Sequence, residues 1–98
     1  MSIERRIIKG NGNLEYVWDV VAPSGCIVRQ VTWQTSDTRD LFISVASASS
    51  EFTGKLDIEQ LPPRGGLGSP IYCTQDDVLH FDSPVTSEWV LRIVVEKI

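Results

Sequence analysis

Few of the residue types that equip a protein for chemistry occur in this chain of 98 residues. It has one histidine, two cysteines and one methionine, and 9 basic side chains stand against 13 acidic ones, for a formal net charge of −4. That balance excludes the clustered Lys and Arg of a nucleic-acid binder. No apolar run approaches the ~20 residues of a membrane helix, and no signal-peptide segment follows Met1. We therefore expect neither a nucleic-acid partner nor a membrane partner.

Alanine is also scarce, with 3 residues against 11 Val, 9 Ile and 6 Thr. Side chains branched at Cβ pack well on a pleated sheet and restrict χ1 in a helix. No window shows the i, i+3, i+4, i+7 spacing of an amphipathic helix, while 5 prolines and 7 glycines mark turns. The length suits one domain, residues 1–98, that is too small for a deep cleft beside a second lobe.

Apolar and polar residues alternate in seven or eight short segments, as strands with one buried face do. The clearest are Leu14–Val21, Cys26–Thr35, Leu41–Ala48 and Glu88–Ile98, and the weaker ones are Ser2–Lys9, Phe52–Glu59, Ile71–Cys73 and Val78–Phe81. Turn signals between them favour an all-β, antiparallel β-sandwich. Eight such strands predict a jelly roll, with an immunoglobulin-like topology as the rival.

Each of the three tryptophans, Trp18, Trp33 and Trp89, lies on the apolar face of a predicted strand. Strict alternation places Ile27 on the same face as Trp33. Burial in the core is the default for such positions. The alternative is an exposed platform that stacks on sugar rings, which would make the chain a carbohydrate-binding or receptor-binding module with a glycan as partner.

The histidine and the cysteines form no recognisable catalytic or metal-binding spacing. Nothing places a nucleophile beside His80, so we expect a structural or surface histidine, with a small hydrolase as the alternative. Cys26 and Cys73 lack the paired ligands of a zinc site. Two buried free thiols are expected, and one disulfide is the alternative. The sequence predicts no catalytic residue, no cofactor and no metal ion.

Two loop features resemble ligand sites only superficially. The carboxylates in or beside predicted loops do not follow the twelve-residue calcium pattern; they are Asp37, Asp40, Asp76, Asp77 and Asp82. The run Arg64–Ser69 within the irregular segment Leu61–Pro70 has the glycines of a phosphate cradle, but a strand follows it where a cradle needs a helix. The segment is either an arm that clasps a partner or a plain crossover between sheets.

The end of the chain carries a resemblance. In Asp77–Pro84 and Glu88–Glu96, a short strand opened by Asp leads through a Pro-containing turn into a long last strand. This ending resembles small jelly-roll virion proteins of tailed bacteriophages, which decorate capsids or build tail and adsorption structures. The likeness covers about the last quarter of the chain and transfers no functional residue. It implies a virion as the location, with the cytoplasm otherwise.

Both ends of the chain are apolar and strand-like. They pair either inside one sandwich or with a neighbouring subunit by strand addition. We therefore expect a non-enzymatic structural protein that binds copies of itself or other structural proteins of an assembly. The predicted contact residues are Ile3, Ile7, Pro62, Pro63, Arg64, Leu67, Pro70 and Ile98.

Overall fold

The computed structural model describes residues 2–19, 25–47, 56–73 and 77–98. Eight strands occur in these ranges: β1 (Ser2–Asn11), β2 (Leu14–Asp19), β3 (Cys26–Thr35), β4 (Leu41–Ser47), β5 (Leu56–Leu61), β6 (Ile71–Cys73), β7 (Asp77–Ser83) and β8 (Glu88–Lys97). The described ranges hold no helix of the length and apolarity needed to cross a membrane. The all-β prediction is confirmed.

The strands form two antiparallel four-stranded sheets. Sheet 1 has the order β1-β8-β3-β6, and sheet 2 has the order β2-β7-β4-β5. Only β4 and β5 are neighbours both along the chain and in space, since every other connection passes from one sheet to the other. The predicted jelly roll, a double sheet built from Greek keys, is confirmed, and the immunoglobulin-like rival is wrong.

The two terminal strands pair with each other inside the sandwich. β1 runs antiparallel to β8 from Ser2 opposite Lys97 to Asn11 opposite Glu88. β8 also pairs with β3 on its other side, which makes it a central strand. The strands at the two chain ends are therefore paired within one subunit, and strand addition from a neighbouring subunit is not needed to pair them.

β1 is longer than the glycine pattern predicted. The strand continues through Gly10 and Asn11, and the turn falls at Gly12, whose φ is 86°. A Cβ atom at Gly10 would lie 2.4 Å from Cζ2 of Trp89. Gly10 therefore serves close packing of backbone on indole, a use of glycine that looks the same as a turn in sequence.

The core lies between the sheets and contains all three tryptophans. Trp18, Trp33 and Trp89 are 1%, 0% and 7% exposed. The remaining buried apolar side chains are Leu14, Cys26, Val28, Val31, Leu41, Ile43, Leu61, Ile71, Cys73, Leu79, Phe81, Val85, Leu91, Ile93 and Val95. The proposed sugar platform has to be corrected, because ring faces packed inside a core cannot stack on a ligand.

β3 has the predicted bounds but not the predicted faces. The pairing register with β8 shifts between Val28 and Gln30, and Arg29 occupies the extra position of this β-bulge. As a result, Val28 is buried before the bulge and Trp33 after it. Ile27, which strict alternation placed on the face of Trp33, lies on the opposite face.

The irregular segment after β5 is a crossover that runs along β3. The Arg64 N–H donates to the carbonyl of Trp33 over 3.0 Å, and the Leu67 N–H donates to the carbonyl of Val31 over 3.0 Å. The indole N–H of Trp33 donates in return to the Pro62 carbonyl, at 3.0 Å. The segment is anchored to sheet 1 and is not a free arm. Residues 52–55 of the predicted strand before it lie outside the described residues.

Candidate functional site

The outer surface of sheet 1 combines apolar with basic side chains. Alternation along β1 turns Ile3, Arg5 and Ile7 outward, and the register places Arg5 beside Val94 and Ile7 beside Arg92. Ile3 and Ile7 are 55% and 62% exposed. These five residues are called the basic face below. Exposed apolar side chains beside guanidinium groups are typical of protein interaction sites.

The two arginines of the basic face differ from Arg29 in their ion pairs. Among the described residues neither Arg5 nor Arg92 has an ion-pair partner, whereas Arg29 pairs with Glu96 at 2.8 Å. A depression of about 250 Å³ lies between them and is lined in part by Val94. Two uncompensated guanidinium groups beside an apolar depression can bind carboxylates with directional hydrogen bonds.

The outer surface of sheet 2 carries the opposite charge. Glu15 on β2 is paired directly with Asp82 on β7, and Val17 is paired with His80. Like charges at directly opposed positions destabilise a sheet. The imidazole of His80 lies between the two acids, with Nε2 3.6 Å from Glu15 Oε1 and Nδ1 3.5 Å from Asp82 Oδ2. Glu15, Val17, His80 and Asp82 are called the acidic face below.

The acidic face is accessible to a partner. The Glu15 and Asp82 side chains are 68% and 44% exposed. Beside them is an open depression of about 330 Å³ that is also lined by Asn13, Leu14, Ser83 and Pro84. Two carboxylates that face each other across a strand pair gain from a cation placed between them. The arrangement therefore suits a Lys or Arg side chain from another molecule.

Among the described residues, no nucleophile is arranged beside His80. Both cysteines lie on sheet 1, so a Cys-His pair does not form. Ser44 is paired with His80 across β4 and β7, but it is only 3% exposed. The Nε2 atom faces Glu15, on the strand at the other side of β7. In the described parts of the chain, no group of three or more His, Cys, Asp and Glu side chains is placed to hold a metal ion.

The two cysteines face each other across a strand pair. Cys26 on β3 is the register partner of Cys73 on β6, and both thiols are free and buried. Burial raises the pKa of Cys26, and it raises the pKa of Cys73 to about 12. Both groups are therefore protonated near neutral pH and behave as small apolar side chains with weak nucleophilicity.

The predicted loop carboxylates serve mainly local structure. Asp37 accepts hydrogen bonds from the Thr86, Thr38 and Arg39 N–H groups at 2.9, 2.6 and 3.2 Å, which joins two loops at one end of the sandwich. These hydrogen bonds lower the pKa of Asp37, and the bond from the Thr86 N–H has the largest effect. Asp40 accepts a 2.6 Å hydrogen bond from the amide of Gln60.

The three remaining acids differ in position. Asp77 opens β7, while Asp76 lies outside the described residues. Of the acids considered from sequence, the structure brings Asp82 beside His80.

The predicted contact residues fall into separate groups. Ile3 and Ile7 belong to the basic face on strand β1, and Ile98 is 52% exposed just after β8. The loop group Pro62, Pro63, Arg64, Leu67 and Pro70 lies along β3, and Leu67 packs partly against the core. Within sheet 1, β8 and β3 separate β1 from this loop, so the structure does not join the two groups into one patch.

Several members of the two faces were missed from sequence. Arg5 and Arg92 had a visible signal, because each is a charged residue in the outward register of a strand that is otherwise rich in Ile and Val. Glu15 had none. Its neighbours His80 and Asp82 reach it only through the pairing of β2 with β7, whose register cannot be read from either segment alone.

Comparison with known proteins identifies the fold and no family. No family model matches the chain, and no curated protein matches it. The solved structure of RmlC from Streptococcus suis, in complex with dTDP-D-xylose, matches with a TM-score of 0.55 at 6% identity. The match covers 98% of this chain and 44% of RmlC, so the chain spans less than half of that protein.

Two Drosophila structures match over nearly their whole length. The nucleoplasmin-like N-terminal domain of FKBP39 has a TM-score of 0.52 at 8% identity, with 98% of this chain and 91% of that one covered. The core of NLP, whose structure was reported for pentamer formation and histone binding, has a TM-score of 0.53 at 11% identity, with 99% and 98% covered. These likenesses confirm the β-sandwich fold. None of the three structures is a virion protein.

Proposed function

We propose that this chain is a non-enzymatic structural subunit that associates with further copies of itself through its basic face. The observation that carries the proposal is the exposure of Ile3 and Ile7 beside Arg5 and Arg92, for which the described residues offer no ion-pair partner. Burying such a surface in an assembly adds stability to a chain of this size by mass action. The fold shared with the pentamer-forming NLP core supports homo-oligomerisation.

We propose further that the assembly is a virion, in which the subunit decorates a capsid or forms part of a tail or adsorption structure. Support comes from the resemblance of Asp77–Pro84 and Glu88–Glu96 to small jelly-roll virion proteins, and from the use of jelly rolls in viral capsids. The structural neighbours give no support to this part. Outside a phage, the cytoplasm is the expected location.

Light scattering coupled to size exclusion tests self-association directly. Between about 1 and 200 µM, the wild-type chain should shift from the 10.9 kDa monomer to a defined multiple of that mass. Ile7→Asp, which places a carboxylate in the basic face, should shift the transition to higher concentration. Tyr72→Asp is the matched control, because Tyr72 is 72% exposed at the other edge of sheet 1. A wild-type chain that stays monomeric throughout refutes the proposal.

The carbohydrate-binding alternative has lost its main support. It needed exposed tryptophans, and all three are in the core. The hydrolase alternative keeps His80 and Asp82, and the described part of the chain offers no accessible nucleophile beside them. No observation in the structure favours either activity over assembly.

A further inference from the structure

We propose that the basic face of one copy packs on the acidic face of a second copy, so that the contact between subunits is head-to-tail. This inference rests on the proposed self-association and specifies which two surfaces meet. It places Arg5 and Arg92 of one subunit against Glu15 and Asp82 of the next.

Charge complementarity carries the inference. If two basic faces met, four guanidinium groups would lie close together, and none of them has an acid partner among the described residues of its own chain. If two acidic faces met, four carboxylates would lie close together. Like-charge contacts of this kind cost free energy and select against symmetric pairing. A head-to-tail contact instead sets a guanidinium of Arg5 or Arg92 against the exposed carboxylates of Glu15 and Asp82, which His80 already contacts from within the chain.

The apolar side chains of the two faces also match. Ile3 and Ile7 project from the basic face, and Val17, 48% exposed, projects from the acidic face. Both faces lie on the outer surfaces of four-stranded sheets. On sheet 2, His80 is only 8% exposed, so the accessible part of the acidic face is formed by Glu15, Val17 and Asp82. Strands of ten residues give the outer surface of sheet 1 around the basic face a length of about 33 Å, and the neighbouring strands β1, β8 and β3 give it a width of about 15 Å. The acidic face limits the contact, because its strands of six and seven residues are only about 20 to 24 Å long. At the same width, the two partners together bury roughly 700 Å², the size of a weak and transient contact.

The edge of sheet 1 is a poorer contact than its face. β1 is an edge strand of ten residues, but Glu4 and Arg6 point inward from it. The Arg6 guanidinium lies 3.9 Å from the centre of the Trp18 ring and donates to the Tyr16 hydroxyl at 2.8 Å, which closes this side of the sandwich. Inward-pointing charges on an edge strand oppose the addition of a further strand. The free surface of sheet 1 is therefore the basic face.

The proposed contact has a defined consequence for the assembly. The two faces lie on opposite sides of the sandwich, so each copy has one basic face and one acidic face. When two copies bind, one basic face and one acidic face stay free at the two ends of the pair. Head-to-tail contacts close into a ring where the rotation per subunit allows it, and otherwise they continue as a filament. Because the contact is ionic at its rim, added salt should weaken it.

A charge-reversal and mixing experiment tests the pairing of the faces. Arg92→Glu and Glu15→Lys are each measured alone and then mixed in equal amounts, by light scattering and by analytical ultracentrifugation. Each variant alone should associate at least tenfold more weakly than the wild type. In the mixture, the reversed basic face of one variant meets the reversed acidic face of the other, and association should return. Arg39→Glu, in the loop between β3 and β4, is the control and should associate normally.

The outcomes separate this inference from the proposed function. Loss in both variants with recovery on mixing supports the head-to-tail contact. A wild-type chain that associates while Glu15→Lys associates equally well overturns the inference and leaves self-association intact. A monomeric wild type overturns both this inference and the proposed self-association. Circular dichroism spectra and thermal midpoints equal to those of the wild type establish that the variants fold, and Arg5→Glu replaces Arg92→Glu if the latter does not.

Discussion

Replacement of Trp33 by alanine is the most direct test of the core. The side chain is fully buried, and its indole N–H donates to the carbonyls of Pro62 at 3.0 Å and Leu61 at 3.3 Å. An aromatic side chain of this size buries about 200 Å², worth about 5 kcal/mol at ~25 cal/mol/Å². Large-to-small substitutions of buried aromatics cost about 3–5 kcal/mol. We therefore expect Trp33→Ala to lower the free energy of unfolding by about 4 kcal/mol.

A second substitution separates packing from hydrogen bonding. Trp33→Phe keeps an aromatic ring in the core but removes the donor that joins β3 to the crossover after β5. The Pro62 carbonyl then loses its partner, and the cost should be about 1–2 kcal/mol. Tyr72→Ala is the control, since a side chain that is 72% exposed should change stability by less than about 0.5 kcal/mol.

Equilibrium urea unfolding, followed by far-ultraviolet circular dichroism at low micromolar concentration, measures all three variants. With a slope of about 1.5 kcal/mol/M, Trp33→Ala should lower the midpoint by about 3 M, and Trp33→Phe by about 1 M. If Trp33→Ala unfolds within about 0.5 M of the wild type, the indole is not in the core. That result would return Trp33 to the surface and restore the sugar-stacking interpretation.

Three further predictions concern other parts of the sandwich. Gly10→Ala should cost about 1–3 kcal/mol in thermal unfolding, because its Cβ collides with Trp89, whereas Gly68→Ala meets no atom within 4 Å and should be neutral. The hydrogen bonds that lower the pKa of Asp37 stabilise the fold above about pH 4, the pKa of an aspartate in the unfolded chain, and this stabilisation is lost as the pH falls. Asp37→Asn should therefore reduce the drop in urea midpoint between pH 5 and pH 3. A drop equal to that of the wild type contradicts the prediction. With its pKa raised to about 12, Cys73 should resist iodoacetamide at pH 8 until urea unfolds the chain, and rapid native alkylation would refute its burial.

The strand content and the core could be predicted from sequence because both depend on local alternation. β3 and β6 have the predicted bounds, and in β8 the alternation of Trp89, Leu91 and Ile93 with partly or fully exposed residues matches the burial in the structure. The number of strands and their turns were enough to indicate a jelly roll, since few double-sheet topologies accommodate eight short strands.

The candidate site could not be predicted, because it depends on which strands become neighbours. The acidic face joins Glu15 to His80 through a register between segments far apart in the chain. The bulge at Arg29 and the inward turn of Arg6 also have no signal in alternation, since both arise from the fit of one strand against others. Composition gave the net charge of the chain, whereas only the three-dimensional arrangement separates a positive surface from a negative one.

The central position of β8 has a consequence for how the chain reaches its native state. Sheet 1 cannot be completed before β8 is in place, because β1 and β3 are not paired with each other and both pair with β8. The pairing of β1 with β8 joins residues that are far apart in sequence, and contacts of such long separation slow folding. During that interval the hydrophobic inner residues of β3 are uncovered, and the nascent chain is at its most vulnerable to aggregation.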